Sequence, residues 1–286
     1  MNTDINFPNL HIYLSNVGKS IDVFGFTIAY YGVMIAIGML LAVWLILNRA
    51  KKAGVSEDAA LDVCIYTILL GVVCARIYYV IFAWDVYKDS LLSVFNLREG
   101  GLAIYGGIIG GMITCILMCK RKKIPFLKFA DIVVPGVLVG QVMGRWGNFF
   151  NREAFGQYTD GLFAMELPLN AVRSMDDITQ EMMAHGRMVG DVMYVQVHPT
   201  FLYESVWNLI LLIFLLLYTE HKKFDGQLFC FYFFFYGMGR FWIEGLRTDQ
   251  LKLWNTDVPV SQALAVALMI VSAVIYVVLQ KRAQKE

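Results

Sequence analysis

Apolar residues fall into seven long runs along the chain, separated by short polar connections and one long one. A helix crossing the hydrocarbon core of a bilayer needs roughly 20 mostly apolar residues. Residues 23–47 form such a run without a charge. Residues 61–84 follow, with Asp62 at the start and Arg76 interrupting the run, and residues 100–119 are again charge-free. Residues 129–149 make a weaker segment with Asp131 and Arg145 near its ends. Residues 201–218, 226–243 and 258–280 complete the set. The expected fold is an all-α integral membrane bundle of seven transmembrane helices.

The long polar connection, residues 151–199, has a character of its own. Residues 176–186 look helical, while Val192, Tyr194 and Gln196 alternate at the two-residue period of a strand. The Gly/Ser/Pro bias of a flexible linker is missing. A small ordered head of mixed α/β structure is expected there. The chain then divides into an N-terminal segment 1–22, helices one to four within 23–150, the head 151–199, and helices five to seven with a tail within 200–286.

Orientation follows from basic residues in the connections, which favour the cytoplasmic side. Arg49, Lys51 and Lys52 follow the first run. Lys120, Arg121, Lys122, Lys123 and Lys128 follow the third, Lys222 and Lys223 the fifth, and Lys281, Arg282 and Lys285 the seventh. With seven spans all thirteen lie on one side, against eight on the other across longer connections. Adding or losing one span destroys that asymmetry, so the expected topology is N-out, C-in, with the N-terminal segment and the head outside the cell. One basic residue, Lys19, in the first twenty, with no short apolar run and small-residue cleavage site after it, argues against a cleaved signal peptide.

Composition reinforces the membrane reading: 58% of the 286 residues are hydrophobic and 16% are charged, against roughly 25% charged in soluble domains. A net charge of +1 supports no electrostatic case for nucleic acid or an acidic partner. Cys64, Cys74, Cys115, Cys119 and Cys230 all fall in apolar runs without CxxC or Cys/His metal spacing, so packing is expected of them and neither a metal nor another cofactor is. Gly106, Gly107, Gly110 and Gly111 have small-xxx-small spacing inside an apolar run, which fits close helix packing better than a phosphate loop.

Ionisable residues within spans are costly, by ~2.5–3.5 kcal/mol near the bilayer centre. Arg76, Arg145, Glu204, Arg240 and Glu244 therefore each require an explanation. In the expected topology all five lie at the level of the outer leaflet. Arg240, Glu244 and Arg247 share a helix face at i, i+4 and i+7, and Arg145 and Asn148 are three apart. Two arginines from different helices, helped by amides, make a fork-shaped receptor for a phosphate. Placement alone leaves three readings open: Arg240–Glu244 pairing as helix glue with Arg145 capped by carbonyls, an enzyme acting at a lipid phosphate, or a transporter for an anionic lipid or solute.

The stretch GRWGNFFNREAFG, from Gly144 to Gly156, resembles the signature of the bacterial prolipoprotein diacylglyceryl transferases. Tyr30-Tyr31-Gly32, ARIYYV around Arg76 and Tyr79, GGLAIYGG from Gly100, HPTFLYE from His198 and YGMGRFWIEGLR from Tyr236 agree in order and spacing over nearly the whole chain. The resemblance implies transfer of the diacylglyceryl group of phosphatidylglycerol to the lipobox cysteine thiol of a preprolipoprotein in the bacterial cytoplasmic membrane. The product is then a thioether, and glycerol 1-phosphate leaves. It implies that Arg145 serves the lipid phosphate and Arg240 the phosphate or leaving group. Asn148, Asn151 and Glu153 match signature positions and bind glycerol hydroxyls or hold the arginines. Gly156 provides a tight turn or close backbone approach, and Tyr31 and Glu244 complete the polar pocket. Arg76, His198 and Glu204 join the candidate substrate-binding set, Glu204 more as a structural member than a catalytic one.

One position departs from the family pattern. The third span of well-known members opens with a histidine, the proposed base for the thiol proton, where this chain has Tyr105. A free thiol has a pKa near 8.5 and benefits from activation, and tyrosine, near 10, is a poor base unless arginines depress it. Tyr105 as a hydrogen-bonding or weakly basic group, another base such as His198, or an arginine field that favours thiolate all remain open.

Overall fold

A computed structural model describes residues 3–88, 90–96, 100–253 and 256–285. Arg98, one of the eight basic residues counted on the far side, lies outside these, as do the first two residues of the N-terminal segment and the last of the tail.

Seven helices of 18 residues or more carry the chain: α1 (Tyr30–Lys52), α2 (Glu57–Phe82), α4 (Ile104–Arg121), α5 (Phe126–Asn151), α7 (Thr200–Tyr218), α8 (Gln227–Leu246) and α9 (Val260–Ala283). Short α3 (Trp84–Tyr87) and α6 (Gln180–Ala184) lie in connections. Six of the long helices are long and apolar enough to cross a membrane; α8 is the exception. Its Tyr232, Tyr236, Gly237, Gly239, Arg240 and Glu244 dilute its hydropathy. Large apolar side chains such as Leu40, Trp44, Leu217 and Ile270 are exposed along the others, as expected of surfaces made for hydrocarbon rather than water.

The first helix begins later than its apolar run. Residues 20–29 form a hairpin, β3 (Ser20–Val23) and β4 (Phe26–Ala29), turning through Phe24 and Gly25 at positive φ, and α1 starts only at Tyr30. Apolarity over residues 23–29 does not distinguish a strand pair from a helix turn. The span expected from residue 23 is therefore corrected to begin at residue 30.

The chain divides into two compact units, residues 43–133 and residues 1–42 with 134–286. In the first unit, Ser56 caps α2, with Glu57 and Asp58 in its first turn, while Arg49, Lys51 and Lys52 occupy the last turn of α1. Both arrangements complement the helix dipole. Lys51–Glu57 and Lys122–Asp62 ion pairs tie the basic ends of α1 and α4 to the start of α2. Helices α2 and α4 lie against each other where a Cβ on Gly106 or Gly110 would collide with Tyr78 or Cys74. The small-residue run is thus a packing seam.

In the second unit, a five-stranded antiparallel sheet of order β2-β1-β5-β7-β6 forms the head. It joins β1 (Thr3–Phe7) and β2 (Ile12–Val17) to β5 (Met165–Pro168), β6 (Arg187–Val189) and β7 (Val192–Val197). The pairs Asn6↔Glu166 and Met165↔Val197 set the register. Strands from the N-terminal segment (residues 3–17) and from the head (residues 165–197), read from sequence as separate segments, therefore share one sheet. Its core of Ile5, Phe7, Met165, Leu167, Val195 and Val197 packs on Phe149 at the end of α5 and Phe201 at the start of α7. That places the head at one end of α5 and α7. Helix α8 runs between α7 and α9, its last turns beside the first turns of both: Trp207 Nε1 donates to Phe235 O (2.9 Å) and Gln262 Nε2 to Phe241 O (2.9 Å).

Candidate active site

At the head end of α5, α7 and α8, in the second unit, the charges within the helices meet. Arg145 sits in the penultimate turn of α5, Glu204 in the first turns of α7, and Arg240 and Glu244 near the end of α8. Arg145 Nη2 lies 2.8 Å from Glu204 Oε1, and Arg240 Nη1 lies 3.0 Å from Glu204 Oε2. One carboxylate thus stands between two guanidiniums from different helices. The Glu204 side chain is 3% exposed and those of Arg145 and Arg240 are 22% and 16% exposed. The Arg145–Glu204 contact is off the hydrogen-bond axis, leaving Oε1 without a formal hydrogen bond, so that pair is held by charge. Arg240 Nη2 also meets Glu244 Oε2 at 2.5 Å and Ser261 Oγ at 3.4 Å.

From this centre the polar chain extends both ways. Arg145 Nη1 donates to Asn148 Oδ1 (3.3 Å), and the Asn148 and Asn151 amides both donate to Glu153 Oε1 (2.9 and 3.1 Å). Glu153 also pairs with Arg173 of the head. On the other side Arg247 lies 3.9 Å from Glu244 and grips Asp249 with two bonds of 2.8 and 2.6 Å. Arg247 is partly buried, and the Asp249 carboxylate more than offsets the cost of that burial, so its pKa is raised. Asn148, Glu153, Ala154, Arg173, Ser174, Asp177, Arg247 and Asp249 line an open polar cavity of about 400 Å³. Burial, helped by Asp249, holds the Asp177 carboxyl above its ordinary range.

The signature explains how the two sides are joined. After α5 ends at Asn151, Arg152 and Ala154 adopt positive φ (54° and 57°) and turn the chain sharply. The strain is sustained by the buried Arg152, which donates to Phe150 O (2.9 Å) and Val17 O (2.5 Å). Gly156 then donates its N–H to His198 O (2.9 Å), forms a bridge with Arg247, and is followed by Gln157 N–H to Leu246 O (2.8 Å). A Cβ on Gly156 would lie 2.8 Å from both His198 Cβ and Leu246 O. Close backbone approach, rather than positive φ, is what this position requires.

Of the remaining candidates, Tyr31 packs its ring on Gly147, where a Cβ would come within 2.7 Å. His198 places Nδ1 3.2 Å from the Tyr203 hydroxyl, and burial lowers its pKa. Arg76 and Tyr105 belong to the other unit. Arg76 is buried and spends its donors on the carbonyls of Ser93, Val94, Asn96, Gly100 and Gly101, with its guanidinium 5.0 Å from the Tyr87 ring. These contacts tie Arg76 to the organisation of the α2–α4 connection. Tyr105 lies in the first turn of α4, half-buried.

A family model for prolipoprotein diacylglyceryl transferase matches residues 19–278. The chain belongs to the prolipoprotein diacylglyceryl transferase family. It is similar to proteins named phosphatidylglycerol–prolipoprotein diacylglyceryl transferase: one from Clostridioides difficile at 44% identity over 230 residues (80% of this chain, 83% of the relative). A second, from Bacillus cereus strain G9842, is 38% identical over 261 residues (91% of each chain). A third, from Finegoldia magna, is 38% identical over 262 residues (91% of this chain, 95% of the relative). Among the readings that charge placement left open, membership in this family selects the enzyme: the chain is a transferase, a multi-pass protein of a bacterial membrane. The candidate site also brings in residues that the sequence did not single out. Arg173 and Asp177 reach it from the head without a local signal, and Asp249 joins Arg247, which its spacing from Arg240 and Glu244 had already marked. Glu204, read from sequence as more structural than catalytic, stands between Arg145 and Arg240.

Proposed function

We propose that this chain transfers the diacylglyceryl group of phosphatidylglycerol to the lipobox cysteine thiol of a preprolipoprotein, with its site facing the outside of the cell. The observation that carries the reading is the convergence of Arg145 and Arg240 on one carboxylate at the head end of the bundle. Two guanidiniums repel each other, and Glu204 offsets that repulsion so that both stay side by side before substrate arrives. Each guanidinium offers five N–H groups, more than Glu204, Asn148, Glu244 and Ser261 take up, and both remain partly exposed.

The chemistry follows from where charge develops. The thiol sulfur attacks the glyceryl carbon that bears the phosphate ester, the carbon–oxygen bond breaks, and its electron pair leaves on the phosphate oxygen of glycerol 1-phosphate. Arg145 and Arg240 stabilise that growing charge, as fixed donors do in any preorganised anion site. Asn148, Asn151 and Glu153 hold Arg145 and offer partners to the glycerol hydroxyls in the cavity beside them. The thiol proton must pass to a base; Tyr105, at the position where the family pattern has histidine, is the candidate and could accept it only as the phenolate. No enzyme nucleophile is needed, because the thiol arrives on the protein substrate.

Seven spans with N-out, C-in topology fit this arrangement. Helices α7 and α9 both start at the head end, so α8 must cross from the far side to connect them, and its 20 residues extend about 30 Å. Purified protein given a lipobox-cysteine peptide and phosphatidylglycerol should form the thioether and release glycerol phosphate, with a Cys→Ser peptide inert. Arg145→Ala and Arg240→Ala should abolish turnover while the protein still folds; normal turnover by both would refute the mechanism. Reporter fusions after residue 285 and within the head should report opposite sides of the membrane.

A further inference from the structure

The helices that carry the charged layer place a second polar layer beneath it. One turn from Arg145 along α5 is Gln141, one turn from Glu204 along α7 is Asn208, and one turn from Arg240 along α8 is Tyr236. Because α5 and α8 end at the head and α7 begins there, all three steps lead the same way, about 6 Å deeper. Asn208 belongs to the buried stripe Glu204, Asn208, Leu211, Leu215 and is 0% exposed. Among the described residues neither end of its amide meets a hydrogen-bond partner. Gln141 Nε2 donates to the Tyr232 hydroxyl (2.9 Å), but Gln141 Oε1, also buried, is unpartnered.

Buried amides are almost always satisfied. The unmet groups here are one NH2 donor and two carbonyl acceptors, each one turn below the point where α5 and α7 meet through Arg145 and Glu204. A lipid ester carbonyl only accepts and would leave both acceptors unmet. The ligand that donates and accepts, and fits a closed interior, is water. We propose that Gln141 and Asn208 bind buried water beneath the arginine–carboxylate layer, and that this hydrated layer keeps Glu204 in register between the two guanidiniums. Asn208 is then a positioning residue. Its catalytic consequence rests on the activity proposed above; the bound water does not.

The two parts are separated by two measurements on the full chain. Radiolysis of bound water oxidises neighbouring side chains even where bulk solvent is excluded. In isotopically labelled water, buried Tyr232 should become oxidised in the native protein, and severalfold less so in Asn208→Leu. An unlabelled Tyr232, or equal labelling in both proteins, overturns the water site whatever the activity shows. In turnover, Asn208→Leu should lower kcat roughly tenfold, the scale of a small misplacement of a catalytic group, without raising KM for phosphatidylglycerol. Asn208→Ser, which keeps a donor and acceptor and admits a further water, should recover most of it. Full activity with a raised melting temperature in Asn208→Leu would mean a dry, unsatisfied amide and would overturn the positioning role. If Asn208→Leu fails to fold, Gln141→Met carries the same comparison. Discrimination between ester- and ether-linked phosphatidylglycerol that vanishes in Asn208→Leu would give the amide to the lipid instead, and also overturns the proposal.

Discussion

Replacing Glu204 by Gln removes one charge and almost no volume from the point where two guanidiniums meet. The Glu204 carboxylate lies 2.8 Å from Arg145 and 3.0 Å from Arg240 with a side chain 3% exposed. With charge centres roughly 4 Å apart and an effective dielectric near 20, each pair supplies about 4 kcal/mol of attraction. Desolvation of the three groups takes back several kcal/mol, so the net worth of the pairs is modest, but removing one partner leaves buried charge uncompensated at ~3–5 kcal/mol. The glutamine carbonyl can take the place of only one of the two carboxylate oxygens, and its NH2 turns a donor toward the other arginine. Glu204→Gln should therefore lower stability by about 3 kcal/mol and reduce kcat by about 100-fold, the loss seen when a preorganised anion-stabilising group is displaced. Unfolding in detergent and peptide lipidation would measure the two. A double-mutant cycle with Arg145→Gln should give a coupling of about 1.5 kcal/mol or more. Native stability and turnover in Glu204→Gln, or additive effects in the cycle, would refute the view that this carboxylate aligns the arginines.

Gly156→Ala should open the bridge to Arg247, because the new methyl would press on a backbone oxygen at 2.8 Å that cannot turn away; a loss of about 1–3 kcal/mol is expected, with turnover falling alongside it. Arg76→Gln should destabilise the α2–α4 connection, read as faster proteolysis there, while KM for phosphatidylglycerol stays unchanged; a raised KM alone would return Arg76 to the lipid site. Tyr105→Phe should slow turnover and Tyr105→His should restore it with a rate that rises through the imidazole pKa, whereas full activity in Tyr105→Phe would exclude any role for the hydroxyl. Burial lowers the folded-state pKa of His198, so the neutral ring is favoured on folding. Its contribution is intact above the unfolded value near 6.5 and is lost as pH falls below it. The drop in melting temperature on acidification should accordingly be smaller in His198→Gln.

What was legible in the chain itself is whatever depends on local pattern. Long, predominantly apolar runs are expected to be helices in a bilayer, since no other single segment satisfies its own backbone there, and the order of the long helices follows from that. The ionisable groups inside the runs marked the candidate site before any contact was known, and the motif from Gly144 to Gly156 marked the family. The errors have one physical origin. Residues 23–29 are apolar enough for either a helix or a hairpin, and only the turn at Phe24 and Gly25 decided between them. The N-terminal strands and the head pair across about 160 residues of intervening chain, as in Asn6 with Glu166, and no local signal announces such a pairing. Arg76 and Arg240 look alike as buried arginines. Tertiary structure separated them, surrounding one with carbonyls and bringing the other to a carboxylate shared with a second helix. Charge cost follows from depth, which sequence reveals; what repays that cost is a partner from elsewhere in the chain, which only the folded bundle supplies.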